Sequence, residues 1–146
     1  MYLCSIKHNF RPYYSMKTKR IEIEHPLNST SRNIVWQLIS TAEGLSGWIA
    51  DSVVINGNKL TFSWGDAWRH HETRKATITR RDRFAAVRWH WDDEDDDSYV
   101  EIRMERGMLS GEITLHIIDF TTDDDSDWLY AAWQHNFDNL KTKSGV

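Results

Sequence analysis

The stretch DDDSDWLYAAWQHNFDNLKTK, residues 123–143, reads as one long helix. Asp123, Asp124, Asp125 and Asp127 crowd its start, and Lys141 and Lys143 sit at its end. That placement complements the helix dipole. Leu129, Trp133, Phe137 and Leu140 recur at three- and four-residue intervals and draw one apolar stripe. Two members of the stripe are large aromatic rings, so the helix needs a broad apolar surface to lie on. A sheet supplies one.

The chain before the helix has the period of strands. KRIEIEH (19–25) alternates apolar Ile21 and Ile23 with Glu22 and Glu24, the pattern of a half-buried strand. Pro26 ends it, and Ser29, Thr30 or Ser31 is placed to cap a following helix. SRNIVWQLIS (31–40) sets Ile34, Val35, Leu38 and Ile39 at helical spacing beside Trp36, and AEGLSGWIA (42–50) reads as a shorter second helix. From residue 51 the period becomes two. DSVVI and KLTFSW flank Asn56-Gly57-Asn58, a hairpin signal. RHHETRKATITRR, RFAAVRWHW, SYVEIRMER and GEITLHIIDF follow as further strands, with Ala85, Val87, Trp89 and Trp91 expected on one face.

Consecutive strands joined by short turns pair antiparallel. The expected fold is therefore α+β: a curved antiparallel sheet of about seven strands wrapped around the C-terminal helix, with two short helices between strands 1 and 2. This is the helix-grip arrangement. Residues 1–15 lack a clear period and are read as an N-terminal extension whose loss leaves the fold intact. Residues 16–146 form the single domain.

Composition bounds the function. A length of 146 residues gives one substantial core. A net charge of −4 argues against nucleic acid as partner, because phosphate binding needs a basic face. No apolar run is long enough to span a membrane. The only cysteine, Cys4, cannot form an internal disulfide, which suits a reducing cytoplasm. Eight tryptophans are many for this length and imply a large aromatic interior.

STSRNIVWQLISTAEGLSGWIAD (29–51) resembles the opening of START-like proteins of the SRPBCC superfamily. These have a polar cap, a helix carrying Val/Ile-Trp, and a short helix of the form x-G-L-x-x-W. The branch related to the heat-shock-protein ATPase activator homologue, with its small single-domain bacterial members, looks most similar. The resemblance implies a cavity for an apolar or aromatic small molecule or lipid between sheet and helix. It carries no catalytic residue, metal or cofactor onto this chain.

Phase then names the walls. Phe62, Trp64, Trp89, Ile102, Met104, Leu115 and Ile117 are expected to face inward from the sheet, and Trp133 and Phe137 from the helix. Trp64, Trp89, Trp91 and Trp133 either line a pocket or fill it. Glu72 and Arg74 share phase with Ala76 and Ile78. They read either as polar handles for a ligand at the cavity mouth, or as a strand end projecting into water. His70 and His71 are adjacent on a strand, point to opposite faces, and make a poor metal site. The six consecutive acids from Asp92 to Asp97 fit no calcium loop and read as a solvated hairpin turn. Exchanging Asp93, Asp95 and Asp97 for Asn is then expected to leave the melt unchanged. Two rival functions remain: a chaperone-modulating protein with a filled interior and a working outer surface, and a cyclase-type cavity enzyme, which needs a buried acid–base pair.

Overall fold

In the computed structural model, which describes residues 19–65 and 71–146, the chain runs β1 (Lys19–Pro26), α1 (Arg32–Ser40), α2 (Ala42–Leu45), β2 (Ser52–Asn56) and β3 (Lys59–Gly65). It continues as β4 (His71–Asp82), β5 (Ala86–Trp91), β6 (Val100–Arg106), β7 (Ile113–Thr121) and α3 (Ser126–Ser144). The sheet order is β1-β7-β6-β5-β4-β3-β2, antiparallel at every pairing. Strands β2 to β7 form the expected meander. The first strand joins the last, with Ile23 opposite Ile117.

Short-range chemistry sets the helices. Ser31 caps α1, its hydroxyl accepting from the Ile34 amide at 3.3 Å, and Thr41 caps α2 by accepting from the Gly44 amide at 2.9 Å. Gly44 is required by packing. A Cβ there would stand 1.7 Å from the Gln37 carbonyl oxygen, so α2 can fold this tightly onto α1 only without a side chain. Trp48 then buries its ring and donates from Nε1 to the Leu38 carbonyl at 3.1 Å. At the far end of the chain, Lys143 of α3 donates to the Glu43, Gly44 and Ser46 carbonyls, closing the C-terminal end of α2.

The strand alternation places Leu60, Phe62, Trp64, Ala76, Val87, Trp89, Ile102, Leu115 and Ile117 in one buried layer. Helix α3 meets that layer with Leu129, Ala132, Trp133, Asn136, Phe137 and Leu140. It is anchored over the β1–β7 side. Trp133 Nε1 donates to Asp119 Oδ2 on β7 at 2.9 Å, and Phe137 stacks on His25 of β1 with ring centroids 4.1 Å apart.

Local structure departs from strict period at three places. Ala85 is exposed rather than inward, because Phe84 takes a left-handed φ of 63° and the turn keeps Ala85 out of β5. The long β4 carries a bulge between Ile78 and Arg80, so Ile78 faces the core and Arg80 the opposite side. Ile34, placed in the α1 stripe by spacing, is 53% exposed, and Val35, Leu38 and Ile39 carry the contact.

Candidate functional site

All nine wall residues read from phase are buried: Phe62, Trp64, Trp89, Ile102, Met104, Leu115 and Ile117 on the sheet, Trp133 and Phe137 on α3. Their rings form two groups. Phe62 is the centre of one, 4.9 Å from Trp91, 5.3 Å from Trp89 and 6.1 Å from Trp64. Trp133, Phe137 and His25 make the other. Among the described residues no ring contact joins the two groups. Strands β6 and β7, which lie between β5 and β1, present Ile102, Met104, Leu115 and Ile117 instead.

The interior is not wholly apolar. Trp89 is 1% exposed and its Nε1 has no partner among the described residues. Buried indoles elsewhere do better: Trp48, Trp64 and Trp133 donate to the Leu38 carbonyl, the Ile49 carbonyl and Asp119. Asn136, on the buried stripe of α3, likewise leaves its Oδ1 without a partner among the described residues. A donor and an acceptor thus lie unused in the buried layer, where each costs about 1–3 kcal/mol if it stays unpaired. Asn136 is a residue that reading by period misses, since a polar residue at a stripe position breaks no spacing rule.

Arg74 resolves one alternative. It faces inward on β4, opposite Phe62, with its side chain 4% exposed, so it is no wet strand end. Its guanidinium lies 4.0 Å from the centroid of the Trp91 ring. It donates to Asp93 at 3.1 and 3.3 Å and to Glu94. The acidic stretch is a turn, as read, but two of its acids fold back over a buried cation and are not simply solvated. Glu72, half-buried, sits opposite Trp64 at the end of the same strand.

His25 belongs to the helix-side group. Burial lowers its pKa below the ordinary 6.5, against the pull of Asp138 and with the help of Lys141. On the other face of the sheet, Glu101 is fully buried against Arg80, Arg88 and Arg103. Burial pushes its carboxyl up, and the hydrogen bonds and charges of Arg103 and Arg88 outweigh this and hold it below the usual range. Sequence reading passed over Glu101 as one more polar position. Among the described residues no group of three His, Cys, Asp or Glu is placed to hold a metal ion, and no helix is long and apolar enough to cross a membrane. His70 lies outside the described residues.

A family model of the START-like superfamily domain matches residues 15–146. The chain belongs to this superfamily. Its START-like fold is shared with a Bacteroides fragilis protein solved in solution, 37% identical, with a TM-score of 0.60 over 88% of this chain and 92% of that one. The Aha1 dimer from Colwellia psychrerythraea is 11% identical, with a TM-score of 0.57 over 80% and 87%. A Bacillus thuringiensis protein is 14% identical, with a TM-score of 0.69 over 86% and 98%. The last two likenesses speak for the fold alone. No protein of curated function matches the chain.

Proposed function

We propose that this START-like domain binds an apolar or aromatic small molecule, lipids included, between the sheet and α3, without covalent chemistry. The observation that carries the reading is that two buried groups between sheet and helix, Trp89 Nε1 and Asn136 Oδ1, find no partner among the described residues. Well-packed interiors pair such atoms, and an atom that stays unpaired calls for a partner from outside the chain. An apolar body carrying one acceptor and one donor would satisfy both while covering the aliphatic floor of Ile102, Leu115 and Ile117. Arg74 and Glu72 lie toward one end of this layer as handles for a polar head.

The test compares naphthalene with 1-naphthol, whose hydroxyl both donates and accepts, by tryptophan fluorescence. The naphthol is expected to bind about tenfold tighter, the worth of one net hydrogen bond at the upper end of its range. Asn136→Leu removes the acceptor and leaves the Trp89 donor, so it is expected to narrow that difference while naphthalene binding survives. If neither compound binds, the pocket reading fails, and a protein-binding role of the outer surface takes its place.

A further inference from the structure

The face of the sheet turned away from α3 carries a separate arrangement that the binding reading does not use. Glu101 stands at its centre with its side chain 0% exposed. Oε1 accepts from Arg88 Nε at 2.9 Å and from Arg80 Nη1 at 3.2 Å, and Oε2 accepts from Arg103 Nε at 2.6 Å. Register brings these groups together. The β4 bulge sets Arg80 opposite Arg88, Arg88 lies opposite Glu101, and Arg103 follows two residues along β6.

The way the arginines are held matters more than their number. Arg80 is further bound to Asp82 at 2.5 Å. Arg88 and Arg103 each engage Glu101 through Nε alone, and their terminal Nη groups donate to no described residue. Their side chains remain 32% and 43% exposed. The Arg88 guanidinium is also stacked 4.0 Å over the Tyr99 ring. Two forks are thus fixed at the base and open at the tip, with the cost of ordering them already met in folding.

We propose that Arg88 and Arg103 form an oxyanion site that takes a single phosphate or carboxylate group on their outward Nη groups. Charge-assisted bonds from a pre-ordered guanidinium are the strong kind, and planar oxyanion recognition is what the fork suits. The surroundings select a small anion over a polyanion. Glu22, Glu24, Glu105 and Asp82 occupy the same face in neighbouring register rows and would repel an extended phosphate backbone.

The experiment follows the Nε–Hε resonances of Arg88 and Arg103 while inorganic phosphate is added at constant ionic strength against sodium chloride. A saturable shift of both signals is expected. Arg88→Lys and Arg103→Lys keep the charge and lose the fork, and each is expected to weaken phosphate binding about tenfold, the scale of one charge-assisted hydrogen bond. Shifts that grow linearly without saturating, or lysine variants that bind as well as the parent, overturn the site. The parent titration decides this by itself if a variant does not fold. A phosphoserine peptide distinguishes the source: tighter binding than inorganic phosphate assigns the anion to a protein partner, equal binding assigns it to free phosphate, and either upholds the site. Loss of naphthol binding leaves this result untouched, because the two sites lie on opposite faces.

Discussion

His25 ties the edge strand to α3 through a parallel stack on Phe137, and it is the residue at which the interior meets pH. Its pKa is lowered in the folded chain, so the unfolded chain takes up the proton first as pH falls. Stability is unaffected above the ordinary 6.5, declines as pH drops from there toward the folded value, and levels off below it. His25→Phe keeps a ring against Phe137 and removes the titration. Urea midpoints measured from about pH 7 to about pH 5 should fall in the parent and fall less in the variant. Equal slopes would mean that the stack does not hold the imidazole neutral. His25 was legible as a strand residue. Its stacking partner was not, because 112 positions of chain separate the two, and only the closure of β1 onto β7 brings them together.

The turn between β5 and β6 behaves as two different halves. Asp93 and Glu94 hold Arg74, whereas Asp95 and Asp97 are exposed. Asp93→Asn with Glu94→Gln strips two carboxylates from a buried guanidinium and is expected to cost about 3–5 kcal/mol. Asp95→Asn with Asp97→Asn should stay within about 0.5 kcal/mol of the parent. Chemical denaturation of the two double variants checks this, and equal costs would remove the functional distinction between the halves. The element itself could be read from sequence, because a run of acids between two period-two segments tolerates little else. The division within it could not. Asp93 differs from Asp95 only in what β4 holds across β5, and that is fixed by the sheet rather than by the neighbours of either residue. Glu101 follows the same rule on the outer face, where cross-strand register supplies its arginines.

For the molecule as a whole, the closing helix, the meander and most of the buried phases were legible. Each rests on a local period that tertiary packing reinforced: Leu129, Trp133, Phe137 and Leu140 on one side, Leu60, Phe62 and Trp64 on the other. Whether the layer between them admits a guest depends on how side-chain volumes fill the separation of sheet and helix, and no period encodes that. Leu115 is the place to ask. It lies mid-strand on β7, between His25 and Met104 in register, and is 1% exposed. Leu115→Trp inserts a large ring into whatever room exists beneath α3. The decisive measurement pairs urea denaturation with titration by N-phenyl-1-naphthylamine, a neutral apolar probe, for the parent and for this variant. The account predicts that the parent binds the probe with a change in tryptophan fluorescence, and that the variant stays folded at a cost below about 1 kcal/mol and binds none. A parent that ignores the probe, with a variant that loses about 1–3 kcal/mol or more through overpacking, would contradict it.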